Sequence, residues 1–186
     1  MRYLAAGVLF CVILLVIARS LRLRSLGIHA VQIGKYDKKE FLILPFVLLY
    51  LYVVLASLFG WFVPGSEVLS SPALVITGGV LCVLGFALFV AALIALGRSF
   101  RVGLDETHPG ELVTRGVFAV TRNPIYLSFI LILTGVFLAI PNWILLLLLF
   151  GGIMLFHRQM EIEEKSLLAV YSAAYADYCK KVGRYF

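Results

Sequence analysis

Residues 122–126, Arg-Asn-Pro-Ile-Tyr, gather a cation, an amide and a phenol at the edge of an apolar run. A second polar group, His157, Arg158, Glu161, Glu163 and Glu164, follows the next apolar run. Pro124 suits the first turn of a helix, because its missing N–H would have had no partner there. The N–H groups of that turn, with Arg122 just outside, make a site for a carboxylate or phosphate at a membrane surface. The plainer account of such charges is a solvated rim that sets membrane topology. Which account holds depends on whether the chain brings the two groups together.

The carrier elements are apolar helices. Of 186 residues, 62% are hydrophobic and only 14% charged, and the mean hydropathy is +1.04. No soluble globular surface tolerates that composition. Strands of a membrane barrel alternate apolar and polar residues, whereas residues 145–150 read Leu-Leu-Leu-Leu-Leu-Phe without alternation. The net charge of +6 is accounted for by Lys and Arg in cytoplasmic loops, not by nucleic acid. The three cysteines form no disulfide pattern.

Five spans are predicted, at residues 3–18, 41–63, 72–97, 124–140 and 144–156. The first ends in Arg19, Arg22 and Arg24, the reverse of a cleavable signal peptide. A mixed loop follows at 20–40, where the lone His29 reads as a surface histidine, and residues 64–67 form a turn. Ala87, Ala91, Ala95 and Ser99 recur every fourth residue as a stripe where another helix can pack closely. With five spans, all 16 Lys and Arg except Arg2 fall on one side, which sets the N-terminus outside and the C-terminus in the cytoplasm.

The last two apolar arms are each near or below the roughly 17-residue minimum for a span. Pro141-Asn142-Trp143 joins them in a sharp turn, so they must lie side by side and antiparallel. The return arm gains length by running on into the charged residues that follow. This geometry sets residues 122–126 beside residues 157–164. Cation, amide, phenol and paired carboxylates would then converge against apolar helices, an arrangement that could hold a polar cofactor against a lipid. The tail from 157 to 186 reads as an amphipathic helix whose leucine and tyrosine face lies on the membrane or on the spans. There is no P-loop, GxGxxG, HExxH or metal-spaced His/Cys set.

Residues 97–186 resemble the shared core of the integral-membrane methyltransferases that include isoprenylcysteine carboxyl methyltransferase and the phospholipid N-methyltransferases. Leu112-Val113-Thr114-Arg115-Gly116-Val117-Phe118 is similar to the run preceding that superfamily's arginine-histidine-proline-x-tyrosine signature. Arg122-Asn123-Pro124-Ile125-Tyr126 resembles the signature itself, Gly135 a small residue in the next span, and Glu163-Glu164 with Leu167 the paired-glutamate motif. Tyr175, Tyr178, Val182 and Arg184 resemble the spaced tyrosines and basic end of the tail. The chain departs from the pattern at Asn123, where histidine is commonest, at Gln159, where arginine is frequent, and at Ser172, where glycine is frequent. Asparagine keeps a hydrogen-bonding side chain but carries neither charge nor a mobile proton near neutral pH.

The resemblance implies an all-α polytopic membrane enzyme that binds S-adenosyl-L-methionine from the cytoplasm. Asn123, Pro124, Tyr126, Glu163, Glu164 and Gly116 would border the cofactor, with Arg122 and Glu164 serving the reaction and no metal required. The acceptor would be a lipophile, an isoprenylcysteine-type carboxylate or a phospholipid amine, entering laterally from the bilayer. The resemblance divides the chain into three variable spans at 1–97, for acceptor access and packing, and a methyltransferase core at 98–186. The membrane would be a plasma (inner) membrane or the endoplasmic reticulum. Two other readings stay open: an NADPH-dependent reductase of the sterol-reductase type, which shares a similar core, and a small non-enzymatic membrane protein.

Overall fold

The computed structural model describes residues 1–26, 43–63, 71–100 and 110–186. Within them the chain forms helices α1 (Arg2–Ser25), α2 (Ile43–Phe59), α3 (Pro72–Leu96), α4 (Pro124–Ala139) and α5 (Trp143–Lys181), with 3-10 turns at Gly97–Ser99 and Gly116–Ala119. Helices α1, α3 and α5 are long and apolar enough to cross a membrane, and α2 and α4 are shorter apolar helices. Leu14, Leu48, Ile94, Leu147 and Met154 are each more than half exposed on the outer faces. A contiguous apolar exterior of this kind suits hydrocarbon, not water. The expected loop around His29, the turn at 64–67 and the start of the second span lie outside the described residues.

Helix α1 does not stop at Ala18 but runs on to Ser25. Leu23 in this extension is buried, and Arg22 and Arg24 stand in the last turn, where cations complement the helix dipole. Arg19 reaches across to donate to the carbonyl of Gly97. Gly97 caps the end of α3 at φ 49°, so the polar ends of α1 and α3 lie together.

The closest helix pair is α3 with α4, and its seam differs from the expected alanine stripe. Ala87 is exposed, whereas Gly78, Cys82, Gly85, Phe89 and Ala92 are buried at alternating spacings of four and three. Glycine leaves the backbones room to meet. A Cβ on Gly78 would stand 2.6 Å from the Gly135 carbonyl oxygen, and one on Gly135 the same 2.6 Å from that of Gly78. The alanine spacing marks a helix surface, but the glycines set the distance of approach.

Helix α4 turns into α5 through Pro141 and Asn142, and the Asn142 side chain caps α5 by accepting from the Ile144 N–H at 2.7 Å. The return arm does continue into the charged segment as one helix. Less anticipated is its interruption at Ser172 (φ 47°, ψ −118°), the single non-glycine residue with positive φ among those described. Beyond that break the chain doubles back along α5. The buried Tyr178 donates to the Phe118 carbonyl at 2.6 Å, so the tyrosine face of the tail packs on the protein and not on the bilayer.

Candidate active site

Asn123 is the N-cap position of α4, yet its side chain makes no capping bond. Its amide instead donates to Glu164 Oε1 at 2.8 Å across the hairpin and to the Arg184 carbonyl at 3.4 Å. Tyr126, one turn into α4, donates its hydroxyl to Glu163 Oε1 at 2.5 Å. Arg122 Nη2 lies 3.5 Å from Glu164 Oε2. Residues from the two ends of the hairpin therefore meet, as the turn at 141–143 requires. Pro124 is buried beneath them as the first residue of α4.

Glu164 collects a further cation. Arg184 grips its carboxylate from Nε at 3.1 Å and from Nη2 at 3.0 Å, and reaches Glu161 at 3.5 Å. A forked guanidinium–carboxylate pair of this kind is among the stronger charge-assisted contacts. The Glu164 carboxylate raises the pKa of the Arg184 guanidinium above its ordinary value.

The tail beyond α5 lies as a strap over the start of the hairpin. The Arg122 N–H donates to the Gly183 carbonyl at 3.0 Å, and the Thr121 hydroxyl donates to the Arg184 carbonyl at 3.0 Å. His157 Nδ1 and the Tyr185 hydroxyl are 2.6 Å apart, with their rings stacked at 6.2 Å between centroids. In the sequence Arg184 reads only as the basic end of the tail. On a straight helix it would lie about 30 Å beyond Glu164. Only the break at Ser172 brings it back.

Gly116, also expected at the cofactor, lies outside the hairpin arms. It opens the short 3-10 turn at φ 65°, and a Cβ there would meet only Ala95, at 3.8 Å. Its contribution is the turn that carries Phe118 to Tyr178. Burial, assisted by nearby Glu164 and Cys179, pushes the Tyr178 phenol up to about 12, with Arg122 acting in the opposite direction.

Two cavities flank the cluster. One, of about 390 Å³, is lined by Glu161, Glu164, Lys165, Tyr175, Cys179 and Arg184 among others. The other, of about 280 Å³, lies among α1, α2, α4 and α5, with a lining that includes Val12, Phe46, Tyr50, Phe129, Leu133 and Phe156. Aromatic rings connect it to the cluster: Phe156 and Phe129 pack together at 5.5 Å, and Tyr126 lies 5.9 Å from Phe156. Tyr126 thus touches the apolar cavity's wall with its ring and Glu163 with its hydroxyl. One polar atom here is buried without a partner, Arg122 Nε.

The profile of the phospholipid methyltransferase family matches residues 73–174. The chain belongs to the phospholipid methyltransferase family. No curated protein sequence matches it closely enough to supply a nearer relative. The segment shared with the phospholipid methyltransferases runs from the start of α3 to just past Ser172, so it holds both halves of the hairpin cluster. The strap with Arg184 and Tyr185 lies beyond it.

Proposed function

We propose that this protein is a multi-pass membrane methyltransferase that uses S-adenosyl-L-methionine to methylate a lipophilic acceptor. The observation that carries the reading is the contact of Asn123 and Tyr126 with Glu164 and Glu163, set between one polar and one apolar cavity. The polar cavity has the size of a small-ligand site. Its Glu161 and Glu164 carboxylates suit an ammonium or ribose hydroxyls, its Arg184 guanidinium a carboxylate, and Leu168 and Tyr175 a flat heterocycle. These donors fit the methyl donor group by group.

S-adenosyl-L-methionine supplies an electrophilic methyl carbon on a sulfonium, which an acceptor lone pair attacks in line as the thioether leaves. The protein's part is alignment and exclusion of water. Phe156 and Phe129, packed together on the wall of the apolar cavity, keep water from the acceptor, and Tyr126, against Phe156, marks where the acceptor's polar end emerges. The apolar cavity takes part of the acceptor's hydrocarbon, with α1 and α2 supplying much of its wall. This supports the division into an access half at 1–97 and a catalytic core at 98–186.

An acceptor carboxylate needs no base, whereas an amine must release a proton to a neighbouring carboxylate. Glu164 is one of the two residues that the resemblance assigns to the reaction. Its oxygens are engaged by Arg184, Arg122 and Asn123, which favours a binding role, with Arg122 facing an anionic group through its Nε. Five spans with the C-terminus cytoplasmic complete the reading, because that layout puts every Lys and Arg except Arg2 on the side of this cluster.

Titration of the purified full-length protein with S-adenosyl-L-methionine and with NADPH tests the proposal. Saturable binding of the former, weakened more than tenfold by Glu164→Gln, is the expected result. Binding of NADPH alone would transfer the protein to the reductases. Binding of neither would remove the enzymatic reading.

A further inference from the structure

The ion pair between Glu164 and Arg184 joins two residues that stand 20 apart in the sequence. Two turns of α5 and a reversal at Ser172 position Arg184 so that its fork closes on Glu164. Both side chains line the same polar cavity. The Arg184 side chain is 29% exposed and that of Glu164 11%, so the arginine is the partner with room to turn toward a ligand. Its backbone is meanwhile pinned by Thr121 and Asn123. Glu164 also has a second cation, Arg122 at 3.5 Å, which does not line that cavity.

We infer that the Glu164–Arg184 pair is a template for an α-amino-acid zwitterion, opened when the ligand enters. The ligand's ammonium takes the place of the guanidinium on Glu164, and its carboxylate takes the place of Glu164 on Arg184. Each protein charge exchanges one partner for another, so neither is left buried and uncompensated, which is the expensive outcome for a buried pair. Arg122 steadies Glu164 during the exchange, and Glu161 stays within reach of Arg184. The carboxylate of the ligand is thus assigned to Arg184, and not to Asn123, whose amide is already committed to Glu164 and to the Arg184 carbonyl. This rests on the proposed use of S-adenosyl-L-methionine and names the residue that recognises its amino-acid end.

The test compares two probes on the full-length protein in detergent: S-adenosyl-L-methionine and its decarboxylated analogue, which keeps the sulfonium, the amine and the nucleoside. The expected result is at least thirtyfold tighter binding of the complete molecule by the wild-type chain. Arg184→Met should reduce that preference to less than threefold by weakening the complete molecule alone. Arg184→Lys, which keeps a charge but not the fork, should retain a preference between these limits and serves as the variant if Arg184→Met does not fold. Equal binding of the two probes by the wild type would overturn the assignment while leaving the methyl-donor reading intact. An Arg184 variant that weakens both probes equally would also overturn it, since that is what a merely structural arginine would do. Failure of the wild type to bind either probe would overturn both readings together.

Discussion

The side-chain amide of Asn123 donates to Glu164 Oε1 at 2.8 Å, joining the N-cap of one hairpin arm to the foot of the other. A histidine is the commonest residue at this position of the superfamily signature that the segment resembles, and the contact shows what the two side chains share. Either can present an N–H to the carboxylate.

Asn123→Ala removes this donor from a largely buried carboxylate and should cost about 1.5–3 kcal/mol, the range for a hydrogen bond to a charged group. Asn123→His should preserve most of the binding of the methyl donor. Thermal unfolding and ligand titration on the two variants check this. Equal losses in both would mean that the amide's shape matters and its N–H does not.

Ser172 adopts φ 47°, ψ −118°, a conformation in which a Cβ is crowded and glycine is not. Ser172→Gly should therefore stabilise the fold by about 1 kcal/mol, a rise in Tm of roughly 2–4 °C for a chain of this size. Ser172→Val, with a branched Cβ in the same conformation, should move Tm in the opposite direction. Paired melting curves decide the point, and a lower Tm for the glycine variant would contradict the strain.

Gly135→Ala should destabilise strongly, because the new methyl would meet the Gly78 carbonyl oxygen at 2.6 Å and Cys82 Sγ at 2.7 Å. Overpacking against a backbone that cannot yield costs about 1–3 kcal/mol or more. Gly151→Ala, with nothing within 4 Å of the new atom, should be neutral or mildly stabilising, since alanine is the better helix former. The folded fraction recovered in detergent after mild heating gives the comparison.

Burial holds the Tyr178 phenol up at about 12, from an ordinary value of 10.0. The unfolded chain then releases this proton before the native one does, so stability falls as pH rises between those two values. Below pH 10 this group adds no slope. Tyr178→Phe should lower stability near neutral pH by about 1 kcal/mol through loss of the bond to Phe118, and should flatten the alkaline decline. Denaturant midpoints measured from pH 8 to 11 test both halves.

Much of this arrangement was legible in the sequence. The proline at position 124, the tight turn at 141–143 and a return arm that runs on into charged sequence set residues 122–126 beside residues 157–164. The tail was not legible from periodicity, because its path depends on the backbone conformation of Ser172, and the one signal for it is the glycine frequent at that position in the superfamily the chain resembles. Helical periodicity continues through Ser172 as though the helix were straight, and so conceals that Arg184 returns to Glu164. The packing seam was misread for a related reason. Alanine spacing marks a face, whereas the contact distance depends on glycines that periodicity does not single out.

Phe156, on the wall of the apolar cavity, and Glu164, on the wall of the polar one, lie on the same uninterrupted stretch of α5, well before its break at Ser172. Eight residues of helix fix their separation along the axis at about 12 Å. The helix therefore acts as a ruler between the two cavities. On the proposed reading the methyl donor lies at one end of that interval and the acceptor's hydrocarbon at the other, so an acceptor whose reactive atom sits too near to or too far from its hydrocarbon cannot meet the methyl group.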